Sequence, residues 1–410
     1  MKLQHNMRKT KQAVFKQSGV TLIELMVALV IGLVVSLAVY TVLTASEGRK
    51  RTTTSVNDID QGGSFASYQL DKSIRSAGSG FSGGYNTKYA GSSGVAGTIT
   101  ANYTYGCALN VAQSGTTLLP KPSAFPAPFA GVSTAVRLAP IVIIDGATAT
   151  GDTLISMTGS GGMAESITNL TAGPSSGFIE VSSVASMTER DRILLIPTNT
   201  ADSGPLANQN CLMSQVQAGY SQATGYAPGK VNLAGAFYTT AIGSVNFPSF
   251  PPTSVAVNLG KLPMFNMFAV GANNTLFKYD LLSTPDTSAT SSTPNPGQLS
   301  DGVYSLEAVY GISTAPGSLT WQTPTGAYAY ATLLNGSATS NDNLQNIVMV
   351  RVALVMRTSL LEKNAVSPNS LTLFGNTTVS KTIDVTASNR YRFRVVESTI
   401  PIRNSLIIKN

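Results

Sequence analysis

Residues 20–45 read VTLIELMVALVIGLVVSLAVYTVLTA. Glu24 is the one charge in this stretch, and 22 consecutive uncharged residues separate it from Glu47. As an α-helix those residues extend roughly 33 Å, about the thickness of one bilayer core. Apolar side chains fall all round the helix, unlike the one-sided stripe of a helix that flanks a soluble core. A secretory signal peptide has a shorter apolar run with its small-residue cleavage site behind it. Here the informative residues stand in front: Gly19 closes the preceding segment and Val20 opens the run. A carboxylate inside a membrane segment costs up to about 2.5–3.5 kcal/mol at mid-bilayer and less near an edge. Glu24 is therefore a candidate functional residue.

Outward on the N-terminal side, residues 1–19 carry Lys2, Arg8, Lys9, Lys11 and Lys16 and no acidic residue. Such a flank stays cytoplasmic by the positive-inside rule, which puts the rest of the chain on the outer side of the membrane. The formal charge of the 410-residue chain is +7, and without this leader 22 basic residues face 20 acidic ones. The one later basic cluster, Arg49-Lys50-Arg51, ends the apolar run, where snorkelling to lipid headgroups accounts for it. Nucleic acid is thus not an expected partner.

Composition narrows the chemistry. The single His is His5, in the leader, and the only cysteines are Cys107 and Cys211. A chain that loses His5 has no Ser-His-Asp or Cys-His machinery and no His-ligated zinc. Two Cys cannot form a four-Cys site. We expect no enzyme activity, no cofactor and no metal. Asp145-Gly146, Gly151-Asp152 and Asp301-Gly302 lack the alternating acidic spacing of a calcium loop and read as turns. Tyr85, Tyr89, Tyr103 and Tyr105 read as strand-surface aromatics and Trp321 as a loop anchor. Arg351 and Arg357, with Arg392 and Arg394, are expected to alternate toward solvent or an interface.

On the C-terminal side, Val56, Ile59, Gly63, Ala66, Leu70 and Ile74 recur at spacings of three and four, one stripe of a helix. The pattern predicts one helix over 20–76, stopped at Ala77-Gly78-Ser79-Gly80. Its first half, 20–45, suits a membrane or filament core, and 46–78 is the amphipathic second half. From residue 79 to 410 short β-branched runs alternate with Gly, Pro, Asn, Asp and Ser, the composition of a β-rich head, in one body or two lobes. Strands are expected at 135–144, 153–157, 178–184, 192–197, 212–217, 264–270, 275–279, 303–312, 346–357 and 391–397. Asn273-Asn274 reads as a hairpin tip. Residues 281–298 read as a surface loop and 79–97 as irregular. The fold class is α+β.

Gln17-Ser18-Gly19-Val20-Thr21-Leu22-Ile23-Glu24-Leu25-Met26-Val27-Ala28 resembles the class III signal of type IV pilins and type II secretion pseudopilins. The resemblance implies cleavage between Gly19 and Val20 by prepilin peptidase, N-methylation of Val20, and Glu24 as the assembly residue. Val20 stands where the family usually has Phe. A narrower resemblance, to the PilW family of minor pilins, rests on several later segments. These are Gln61–Ala66 with Leu70–Gly78, Asp301–Glu307 with Val309-Tyr310-Gly311, Asn346–Arg357, and Tyr391–Arg394 through Ile402-Arg403-Asn404. Residues 80–300 match only in the order of elements.

The implied fold is pilin-like, one long N-terminal helix packed on a large β-rich head. The implied role is a non-enzymatic minor pilin of the type IV pilus that primes assembly at or near the tip. Its partners would be other minor pilins, the major pilin, prepilin peptidase, the inner-membrane assembly platform and a tip adhesin. A minor pseudopilin of type II secretion, a signal-anchored periplasmic binding or hydrolytic domain, and direct DNA capture are the rival readings. In an oxidising periplasm Cys107 and Cys211 are expected to pair; two separate buried thiols are the alternative.

Overall fold

The computed structural model describes residues 19–81, 105–146, 151–160, 167–197, 209–221, 229–252, 254–283, 295–315, 317–335, 337–375 and 378–405. Leader residues 1–18, Tyr85, Tyr89, Tyr103, residues 82–97 of the Gly-rich stretch and 284–294 of the 281–298 segment lie outside the described residues. The chain divides into two compact units, Met1–Thr54 and Ser55–Asn410.

One helix, α1, runs from Leu22 to Arg75. In the first unit its residues are exposed on every side as far as Arg51, as an all-round apolar sequence without a protein core must be. In the second unit it buries Ser55, Ile59, Gly63, Ala66, Leu70 and Ile74. This is the expected stripe with one substitution: Ser55 takes the buried place and Val56 is half-buried.

The strands are, in order, β1 (Ala108–Gln113), β2 (Thr116–Leu119), β3 (Ile141–Ile144), β4 (Thr153–Thr158), β5 (Ile167–Asn169), β6 (Phe178–Glu180) and β7 (Arg192–Ile196). Then come β8 (Asn210–Gln215), β9 (Lys230–Asn232), β10 (Ala241–Ile242), β11 (Val245–Asn246), β12 (Val255–Gly260), β13 (Met264–Gly271) and β14 (Thr275–Asp280). The last are β15 (Gly297–Asp301), β16 (Val303–Ile312), β17 (Thr320–Gln322), β18 (Ile347–Arg357), β19 (Ser370–Leu373), β20 (Lys381–Asp384) and β21 (Phe393–Pro401). Three larger sheets follow the orders β2-β1-β8-β7-β12-β5, β15-β14-β13-β4-β3 and β17-β16-β18-β21. The third is antiparallel throughout, and it is where the second half of α1 docks.

That docking uses small residues on the helix. A Cβ on Gly63 would sit 3.1 Å from Met356 Cγ and 3.2 Å from Val396 Cγ2, so the helix backbone lies close to β18 and β21. Ser67 and Ser398 share a hydroxyl hydrogen bond of 3.0 Å, and Arg394 pairs with Asp60. The last carbonyls of a helix have no intrahelical donor, and here the head supplies donors. Ser73 O accepts from Ser156 Oγ at 2.9 Å, and Ser76 O accepts from the Thr158 hydroxyl. Ala77 O accepts from Asn404 Nδ2 at 3.0 Å. The Gly63→Leu substitution should therefore cost about 1–3 kcal/mol or more through overpacking. Urea denaturation reads this directly, and an unchanged midpoint would mean that α1 does not lie against this sheet.

Several expectations are corrected. The strand expected over 135–144 starts at Ile141, after Pro140, because proline has no N–H for a ladder. The one at 178–184 stops at Glu180. Trp321 is not a loop anchor but the middle of β17, half-buried and packed over Gly311. Asn273 and Asn274 do form a tip, both with positive φ, between β13 and β14. The four arginines are all engaged. Arg351 pairs with Glu397 at 2.6 Å and Arg392 with Glu362 at 3.0 Å, Arg394 takes Asp60, and Arg357 stacks on Tyr391 at 4.4 Å.

The hairpin β19–β20 forms an additional layer. Leu373 and Phe374 are fully buried with Val309, Ala353 and Val355, and the half-buried Leu371 and Ile383 join the same apolar cluster. Nothing in the turn pattern of 370–384 had marked this hairpin as a cover for the sheet.

Candidate functional site

At the N-terminus, Gly19 and Val20 precede the helix and are exposed, with no regular backbone hydrogen bonding. Among the described residues nothing lies within 4 Å of a Cβ built on Gly19, so their packing does not require glycine there. Thr21 starts α1: its Oγ1 accepts from Glu24 N at 3.3 Å, and its carbonyl accepts from Leu25 N at 3.1 Å. Thr21-Leu22-Ile23-Glu24 is thus an N-terminal capping sequence, a signal in plain view that the motif reading passed over. It places the Glu24 carboxylate in the first turn, where the partial positive charge of the helix end favours an anion. The result is an exposed Gly19–Val20 bond directly before a capped helix, with an acidic residue one turn in.

Cys107 and Cys211 are joined by a disulfide, Cα to Cα 5.7 Å. Cys211 lies on β8 and Cys107 directly precedes β1, and these two strands pair in parallel. Both residues are buried. The bridge fixes a contact between segments 104 residues apart, a long-range pairing that costs much chain entropy to form.

A second polar constellation lies in the head. Asp152 and Glu307 have side chains only 1% and 4% exposed, and both face the ammonium of Lys381 on β20. Lys381 Nζ is 3.4 Å from Asp152 Oδ1 and 3.6 Å from the more exposed Asp145, and it pairs directly with Glu307 Oε2. Asp152 also accepts from Gly146 N on Oδ1 at 3.0 Å and from Ala308 N on Oδ2 at 2.8 Å. Ser305 Oγ donates to Glu307 Oε1 at 2.6 Å. Gly151 holds the turn with φ +83°, and a Cβ there would meet Leu306 O at 2.2 Å, so only glycine fits. Burial, with Glu307 adding to it, pushes the Asp152 carboxyl up to about 7. Burial draws the Lys381 ammonium down, but the carboxylates around it, Asp152 first, more than offset this and leave it raised.

Gly151-Asp152 reads in sequence as a turn, and the structure makes it half of a buried charge cluster. Glu307, the one acidic residue inside the apolar run of β16, was the available signal. Among the described residues no group of three or more His, Cys, Asp or Glu is arranged to hold a metal ion.

Comparison with known families defines the class first. Residues 14–40 match the prokaryotic N-terminal methylation motif, which spans the Gly19–Val20 bond, the helix cap and Glu24. Together with the apolar helix this makes the chain a type IV pilin-like protein with an N-methylation signal and a membrane-anchoring segment. The second match is narrower: residues 267–404 fit the family model of type IV pilus-assembly protein W, PilW. That region contains the sheet on which α1 lies and ends at Asn404, which closes the helix terminus. No curated protein and no solved structure matches the chain.

Proposed function

We propose that the chain is a minor pilin of the type IV pilus, cleaved by prepilin peptidase between Gly19 and Val20, methylated on Val20, and active in priming filament assembly at or near the tip. The observation that carries the reading is the conjunction of an accessible Gly19–Val20 bond with a capped apolar helix bearing Glu24. In the membrane the segment lies with its leader in the cytoplasm and its head in the periplasm. Assembly then moves the first half of α1 from lipid into a bundle of like helices. There Glu24 meets the free amine of a neighbouring Val20, opposite charges that lower the cost of keeping a carboxylate among apolar side chains. The domain plan follows: a removed leader 1–19, a filament-core helix 20–45, a docking half 46–78 and an extracellular head 79–410.

The partners in this reading are other minor pilins, the major pilin, the inner-membrane assembly platform and a tip adhesin. The head is far larger than a repeating shaft subunit needs, which favours a cap. A minor pseudopilin of type II secretion shares the N-terminal arrangement, and the PilW match weighs against it. Deletion of the coding sequence separates the two. Loss of surface pili and twitching with secretion intact supports the pilus role, and the reverse outcome assigns the protein to secretion.

A further inference from the structure

The Lys381 cluster contains more carboxylates than an ion pair needs: Asp145, Asp152 and Glu307 all pair with its ammonium. A single ammonium, itself 34% exposed, faces two carboxylates that are almost wholly buried. Enclosing two like charges in one site is costly, and the proposed function assigns no role to the carboxylate of Asp152 or of Glu307. The surroundings differ for the two acids. Both Asp152 oxygens are held by backbone N–H donors, from Gly146 and Ala308. Glu307 is fixed by Ser305 at one oxygen and turns the other to Lys381. One carboxyl is thus polarised from behind, and the other is positioned to exchange a proton with the amine.

We propose that Lys381 and Asp152 are joined by an intramolecular isopeptide bond, with Glu307 as the proton carrier. Glu307 takes a proton from the Lys381 ammonium, and the neutral amine attacks Cγ of protonated Asp152. The oxygens of the tetrahedral intermediate are held by the Gly146 and Ala308 N–H groups, donors in the position of an oxyanion hole. The new C–N bond forms, the C–O bond breaks, and the departing hydroxyl leaves as water with the second proton of the amine. Glu307 retains the remaining proton, so charge and atoms balance and no oxidant or activated donor is required. Burial keeps much of Asp152 in its protonated form near neutral pH, the form that an amine can attack.

Tyr310, fully buried and close enough to be influenced by the Asp152 charge, accepts from Ile143 N on its hydroxyl at 2.6 Å. On the cover hairpin, Leu373 lies opposite Lys381 in the β19–β20 register and is buried with Phe374 against the sheet. The bond would tie β20 to the entrance of β4 across 229 residues and lock the hairpin over the sheet. It stands or falls independently of the pilus assignment.

The test is intact-mass spectrometry of the full chain, purified in detergent, reduced, alkylated and denatured, alongside Lys381→Arg and Glu307→Gln variants. The expected wild-type mass is lower than the sequence requires by one water, with a protease-resistant branched peptide containing both Asp152 and Lys381. Lys381→Arg keeps the positive charge and should restore the full mass, and Glu307→Gln should restore it wholly or in large part. A wild-type chain at full mass, showing only an ion-pair cluster, overturns the proposal. So does a branch mapped to Asp145 or Glu307, or a water loss that persists in Lys381→Arg.

Discussion

The Glu24→Ala variant should be processed at Gly19–Val20 as the wild type is, yet enter filaments at least tenfold less often. Two unit charges about 4 Å apart attract by about 4 kcal/mol at an effective dielectric near 20. Desolvation subtracts from that figure, and a net of only about 1.4 kcal/mol already gives a tenfold change in partitioning. Glu24 stands in the first turn of α1 with Thr21 as its cap. The helix survives its loss, because Thr21 still supplies the cap. Comparing sheared surface filaments with the membrane fraction by immunoblot measures the ratio. Equal incorporation of Glu24→Ala and wild type would remove the role assigned to this carboxylate. Gly19→Ala should behave in the opposite way: no described residue lies within 4 Å of a Cβ at this position, so the variant should fold normally, yet its leader should remain attached.

The second large effect concerns the head. Replacing Cys107 and Cys211 by Ser opens a loop of 104 residues, which in the chain-entropy model is worth on the order of 4–5 kcal/mol. Most domains have a total stability of about 5–15 kcal/mol, so the loss is a large share of it. The parallel pairing of β1 with β8 is the local feature that depends most on the bridge. Guanidinium denaturation of the double variant should show a strongly lowered midpoint with a similar slope. A midpoint shift equivalent to less than about 1 kcal/mol would show that the bridge adds little beyond the packing around it.

Much of this architecture is legible in the sequence, and the reasons are physical. The helix announces itself because two different signals overlap on it: an uncharged run long enough to cross a membrane, then a stripe with period 3.6. The C-terminal strands β16, β18 and β21 are legible because they are long, β-branched and bounded by turns. The cap at Thr21 is readable from the Thr21–Glu24 spacing alone, whereas the part played by Asn404 depends on the carbonyl of Ala77, which only the folded chain brings to it. Strand β12 illustrates a different loss. It is buried along its whole length, so its sequence lacks the alternation that marks a half-exposed strand. Asp152, Glu307 and Lys381 come from three distant segments, and their juxtaposition follows from the docking of a hairpin that has no strong local signature. Trp321 failed for a simpler reason: flanking Thr and Pro suggested a loop, while the actual determinant was the bare backbone of Gly311 across the strand pair.

The central claim is that residues 14–40 form a processing signal and not a simple anchor. Mass spectrometry of the N-terminal peptide from protein purified from the cell envelope tests it most directly. The expected peptide begins with N-methylated Val20. A peptide that retains residues of the leader, begins beyond the apolar helix, or starts at Val20 without a methyl group would contradict it.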